Sequence, residues 1–109
     1  MGLAPYAPIQ MTRKYYLSID QGSHASRTML FDSHGHCVAT FQAPIKTIYS
    51  NAGWIEHDPE QIVNSIQYCL ENIFHKYSHY NIVAAGMATQ RSSIVAWNRQ
   101  DGLALCPVI

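Results

Sequence analysis

Charge is scarce in this sequence, and what there is cancels. Only 13% of the 109 residues are charged, seven acidic against seven basic. A protein that binds nucleic acid or an anionic membrane surface carries an excess of Lys and Arg, so neither partner is expected. Long apolar runs are also missing: no stretch approaches the roughly 20 residues that a membrane helix needs. Cysteine is limited to Cys37, Cys69 and Cys106, widely spaced and odd in number. That argues against a disulfide framework and fits reduced thiols in a cytoplasmic protein. Residues 1–12 hold two prolines, no charge and no apolar block of the signal-peptide kind. Residues 1–13 are expected to be a flexible extension ahead of a folded unit over 14–109. Internal repeats and low-complexity tracts are absent.

What is present is hydrophobic patterning. A hydrophobic fraction of 48% argues for a folded chain, and the length allows one modest core. Residues 15–20, 27–32 and 37–42 read as three strands of an antiparallel meander, with a turn at Ser33-His34-Gly35-His36. Asp58-Pro59-Glu60-Gln61 is a helix start: Asp58 can cap, Pro59 suits the first helical position, and Gln61 stands where a capping box would place it. Ile62, Ile66, Cys69, Leu70, Ile73 and Tyr77 then recur at helical spacing over Pro59–Lys76. Ile82–Ala88 is almost wholly apolar, which predicts a strand buried on both faces and parallel to its neighbour. Further strands are predicted at 93–97 and from residue 103, around a turn at Asn98-Arg99-Gln100-Asp101-Gly102.

The segment Ile19-Asp20-Gln21-Gly22-Ser23-His24-Ala25-Ser26-Arg27 carries the chemistry. A carboxylate at a strand end can hold Mg²⁺ directly or through water. A following glycine lets backbone N–H groups approach phosphate oxygens, and Arg27 can add a charge-assisted contact. Asp and Gly also make ordinary hairpin turns, and the pattern by itself does not decide between the two.

The element order β-β-β-α-β in a mixed α/β sheet is the plan of ribonuclease-H-like domains, which include actin-like ATPases. Three landmarks sharpen this. Ser18-Ile19-Asp20-Gln21-Gly22-Ser23, with Ser26-Arg27 and Leu30-Phe31-Asp32, resembles the opening of the FGGY carbohydrate kinases, and among them the glycerol kinases. Gly53-Trp54-Ile55-Glu56-His57-Asp58-Pro59-Glu60 resembles that family's second landmark. Thr89-Gln90-Arg91, followed by Ile94-Val95-Ala96-Trp97 and a glycine turn, resembles its third. The resemblance covers 14–109 and implies the N-terminal portion of the actin-like fold, as a partial domain. It implies Mg²⁺ and ATP as cofactors and a polyol or sugar as the small-molecule partner. Asp20 would then lie near the metal. Gly22, Ser23, His24, Ala25 and Arg27 would line the nucleotide, and Gln90, Arg91 and Ser92 the acceptor.

Three departures matter. Glycerol kinases carry a glutamate where Ser92 stands here. Hydrogen bonds to charged groups are worth about 1.5–3 kcal/mol each, so its loss argues for a polyol or sugar other than glycerol. Ser23-His24-Ala25 replaces the family's Thr-Thr-Ser, so that His24 either touches phosphate or points to solvent while its N–H makes the contact. The third is length. The resemblance implies that the catalytic base and the adenosine-binding domain lie beyond Ile109, so no catalytic residue is assigned within the chain. The chain alone is expected to be inactive, and its cut sheet edge to favour dimers or larger homo-oligomers.

Two other readings remain: a non-catalytic actin-like binding or assembly module, and a nuclease, for which partner carboxylates to Asp20 are missing. The six histidines are read as surface, since neither His34 with His36 nor His75 with His79 has a further ligand. Trp54 and Trp97 are read as packing residues. Tyr15, Tyr16, Tyr68 and Tyr77 are read as core edge, and Asp32 as a turn cap.

Overall fold

The computed structural model describes residues 6–109. Strands β1 (Tyr15–Gln21), β2 (Ala25–Asp32) and β3 (Cys37–Pro44) form the expected meander, each a little longer than its apolar run. The extra length comes from the hairpin itself: only Gly22, Ser23 and His24 remain outside strands β1 and β2. Two short strands that patterning alone did not reveal, β4 (Ile48–Tyr49) and β5 (Ile55–Glu56), pair across a turn closed by Gly53 at φ 82°.

Helix α1 spans Pro59–Lys76, as its cap and stripe predict. The Asp58 side chain accepts from the Glu60 N–H at 3.0 Å. Gln61 does not complete a capping box. Its side chain accepts from the Lys46 N–H at 2.8 Å and ties the helix start to the segment after β3. Strand β6 (Ile82–Ala88) runs parallel to β1, giving the order β3-β2-β1-β6.

The core is the contact between one face of the meander and α1: Tyr15, Leu17, Leu30 and Ile73, with Phe41, Leu70, Phe74 and Tyr77 packed around them. Beside it runs a buried polar seam. Ser65 Oγ donates to the Ile62 carbonyl at 2.7 Å and lies 2.7 Å from Ser26 Oγ. Ser65 has a single proton, so Ser26 is the donor in their shared bond. Thr28 donates to the Cys69 carbonyl at 3.3 Å, and the Cys69 thiol lies 3.6 Å from the Ser26 carbonyl. Burial pushes the Cys69 thiol up from its ordinary value, so it behaves as a small core residue rather than a nucleophile.

Two expectations are corrected. β6 is parallel as predicted but is not buried on both faces: it is exposed from Val83 to Ala88. Helix α1 packs over β2 and β3 and barely reaches β1, so nothing in the described residues covers β6. Residues 93–97 and 103–106 are not ladder strands. Leu105 bonds Ala96 and Ile109 bonds Ile94, so one limb advances four residues while the other advances two. Cys106 and Pro107 bulge out between these contacts, and Pro107 has no N–H with which to continue the ladder.

The Tyr15 ring packs edge-on against Tyr77 in the core, whereas Tyr16 and Tyr68 are exposed. Residues 6–13 lie along the end of α1. The Ala7 N–H donates to the Phe74 carbonyl, and the Asn81 side chain holds Gln10 and Arg13. Residues 1–5 of the expected extension lie outside the described residues. Asp32 does cap its turn, accepting from the His34 and His36 N–H groups at 2.9 Å each.

Two outcomes are expected. Ser65→Ala strands a buried Ser26 hydroxyl and costs about 1–3 kcal/mol, whereas adding Ser26→Ala recovers most of that loss; a urea double-mutant cycle measures both. The His36 N–H bond lowers the Asp32 pKa most; partial desolvation opposes it, and the His34 N–H bond and the two nearby imidazoles lower it further. A lowered folded-state pKa means stability that is complete above the ordinary aspartate value of about 3.9 and is lost as pH falls through the lowered one. Asp32→Asn is expected to flatten the acid limb of a thermal-melting profile below that value.

Candidate functional site

The turn that joins β1 to β2 has every carbonyl held. The Gly22 carbonyl accepts from Gln21 Nε2 at 2.8 Å, and the Ser23 carbonyl lies 2.9 Å from His57 Nε2. The His24 carbonyl accepts from the Ile45 N–H at 2.8 Å, and the Ala25 carbonyl from the Gly22 N–H at 2.9 Å. By contrast, the N–H groups of exposed Ser23 and His24 donate to nothing among the described residues. In a planar trans peptide, C=O and N–H point in opposite directions. Holding the carbonyls inward therefore turns these N–H groups outward.

Across the sheet the register sets Ala88, Asp20, Arg27 and Gln42 in one row. Gln42 accepts from Arg27 Nε at 3.2 Å. Asp20 is exposed and forms no ion pair with Arg27, so its carboxylate is open among the described residues. No group of three or more His, Cys, Asp or Glu that could hold a metal occurs among the described residues. A cation here would rest on one carboxylate, water and ligand oxygens, which is how Mg²⁺ is commonly held beside phosphates.

Because Asp20 faces Ala88 in the parallel β1–β6 pair, Thr89-Gln90-Arg91-Ser92 leaves the sheet at the same end as the β1–β2 turn. A cleft of about 260 Å³ opens there, lined by Gln21, Pro59, Ile62, Thr89, Gln90, Ser93, Ile94, Val95 and Val108. Gln90 accepts from Ser93 Oγ at 3.0 Å and so is tied to its own loop rather than to Arg91. Arg91 and Ser92 are exposed beside the cleft, outside its lining. Ser92 adopts φ 56°, a left-handed conformation unusual for a side-chain-bearing residue.

His57 is the residue that sequence reasoning missed. It is only 5% exposed, its ring meets the turn, and its backbone N–H and C=O both pair with Val108, at 2.9 and 2.8 Å. Its place in the second landmark was visible, but its target depends on a contact 34 residues away. Trp54, read as packing the loop before the helix start, and Trp97, read as packing beside Ile94 and Val95, are 58% and 61% exposed. Both stand on irregular loops outside the reach of the α1–sheet contact.

A Cβ on Gly22 would lie 3.1 Å from the Ala25 carbonyl, whereas one on Gly86 would meet nothing within 4 Å. Gly22→Ala is therefore expected to shift the Ser23 and His24 amide resonances and to cost roughly 1 kcal/mol by overpacking. Gly86→Ala should leave both unchanged or stabilise slightly.

Known proteins resemble this chain in sequence and fold. The chain is 33% identical over 101 residues to the glycerol kinase of Shewanella frigidimarina, covering 91% of this chain and 20% of that protein. It is 40% identical over 90 residues to the glycerol kinase of Beutenbergia cavernae, covering 81% and 18%. Among solved structures, a gluconate kinase from Lactobacillus acidophilus superposes with a TM-score of 0.79 at 26% identity, over 90% of this chain and 20% of that one. A ligand-bound xylulose kinase from the same organism gives 0.78 at 26%, over 88% and 19%. These sugar kinases have the actin-like ATPase fold, so the α/β reading holds. The chain thus spans about a fifth of the length of the relatives it matches. Residues 15–109 match the N-terminal domain of the FGGY family of carbohydrate kinases, and the chain belongs to that family.

Proposed function

We propose that this chain forms one wall of a Mg·ATP cleft in a kinase that phosphorylates a hydroxyl of a polyol or sugar. The observation that carries the reading is the β1–β2 turn, with its carbonyls held and the Ser23 and His24 N–H groups outward beside an open Asp20. Those two N–H groups, with Gly22 giving close approach and Arg27 giving charge, suit phosphate oxygens. Asp20 suits the metal, which when bound neutralises developing phosphate charge. Phosphoryl transfer depends mainly on such positioning and charge neutralisation. On this reading the His24 imidazole points to solvent, and only its N–H serves the phosphate.

Gln90, Arg91 and Ser92 form the acceptor side. Ser92 offers one short hydroxyl, which fits an acceptor other than glycerol. No Asp or Glu lines the cleft beside Gln90, so a base for the acceptor hydroxyl is not supplied by the described residues. The 109-residue chain by itself is therefore proposed to be inactive, as a partial domain over 14–109. A cytoplasmic setting agrees with its three unpaired thiols. Among the described residues, no helix is long and apolar enough to cross a membrane. The bare face and edge of β6, with Val83 and Met87 exposed, support self-association of the isolated chain.

Three measurements test this. In an ¹⁵N–¹H titration with Mg·ATP, the Ser23 and His24 amides are expected to shift, and Asp20→Asn is expected to weaken the Mg²⁺ dependence; unmoved amides sink the site. ADP release by the uninterrupted reading frame, assayed against glycerol, pentitols, ketoses and aldoses, is expected to favour a sugar or a longer polyol; a preference for glycerol overturns the substrate assignment. Sedimentation of the isolated chain should show concentration-dependent association that Met87→Lys reduces.

A further inference from the structure

We propose that His57 is a positioning residue for the phosphate-binding turn: its Nε2–H, donated to the Ser23 carbonyl, aims the His24 N–H at the bound phosphate. This rests on the phosphate-site reading above. A carbonyl only accepts, so the bond at 2.9 Å requires the proton on Nε2. That donor is present in both the neutral Nε2–H tautomer and the imidazolium. The Ser23 carbonyl and the His24 N–H belong to one planar peptide group, and fixing the first fixes the second.

Among the groups that hold the turn, His57 has a distinct origin. Gln21, Gly22 and Ile45 all act from the meander or the segment that directly follows it. His57 acts from the start of α1, one residue before the cap Asp58. Its ring is buried, and its backbone is pinned on both sides to Val108. Val108 lines the cleft beside Gln90, and its neighbour Ile109 pairs with Ile94 in the acceptor-side loop. One residue therefore bonds to the nucleotide-side turn with its ring and to the acceptor-side segment with its backbone. A glutamine can place an amide Nε2–H near the same point, whereas leucine fills the space with no donor.

The test uses the full chain with Mg²⁺ and tripolyphosphate as probe. In the ligand-free protein, long-range ¹H–¹⁵N spectra should show the His57 Nε2–H form at neutral pH; an Nδ1–H tautomer overturns the proposal without any variant. His57→Leu is expected to move the His24 amide resonance and to weaken tripolyphosphate binding roughly five- to tenfold, as for one lost hydrogen bond. His57→Gln should bind within about twofold of the unaltered chain. The Leu30 and Ile73 methyl resonances report whether the core has survived either change. If His57→Leu binds as tightly as the unaltered chain, the positioning role is wrong while the site stands. If tripolyphosphate leaves the Ser23 and His24 amides of the unaltered chain unmoved, the site reading fails and this inference fails with it.

Discussion

The docking of α1 on β2 is the contact on which the rest depends. Leu30 and Ile73 are fully buried at one end of it, and Ser26, Thr28, Ser65 and Cys69 form its polar seam at the other. Apolar packing alone tolerates sliding of a helix along a sheet. Directional hydrogen bonds between Ser26 and Ser65, and between Thr28 and the Cys69 carbonyl, do not. Ser26 lies three residues past Ser23, and Ser65 eight residues past His57. Setting the first pair therefore sets the second, and the β1–β2 turn takes its geometry from the register of the core.

The site follows a division between backbone and side chain. Carbonyls face the protein and are saturated, N–H groups face outward, and the charged side chains stand on the opposite face of the sheet from α1. Asp20 and Arg27 sit side by side without pairing, and Arg27 is steered aside by Gln42. The segment that follows β6 is more open. Gln90 is tied to Ser93, Ser92 bears a left-handed backbone, and no carboxylate faces the cleft. The chain matches about a fifth of its relatives' length.

Much of this was legible in the order of residues because it rests on local physics. The Asp58-Pro59 start, the apolar stripe through Ile73 and the meander strands needed only spacing and capping chemistry. The family landmarks named Asp20, the 22–25 turn and Gln90-Arg91 before any coordinates. Failures occurred where burial had to be inferred from composition. The apolar run of β6 reads as a doubly covered strand, yet α1 reaches only the other side of the sheet. Trp54 read as packing because Gly53 and Asp58-Pro59 frame it, and Trp97 because it follows Ile94 and Val95, yet both side chains are more than half exposed. Gln61 met the capping-box spacing and was captured instead by Lys46.

The sequence by itself determined the elements, their order and the kind of turn that ends β1, since each depends on neighbours within a few residues. Only the tertiary structure decided which groups that turn would present. The hold of His57 on Ser23, the pairing of His57 with Val108 and the hydroxyl seam beneath them join residues 34 to 51 positions apart. Their spacing along the chain carries no periodic signal. The aim of an N–H group depends on where a distant donor comes to rest, and helix packing settles that position.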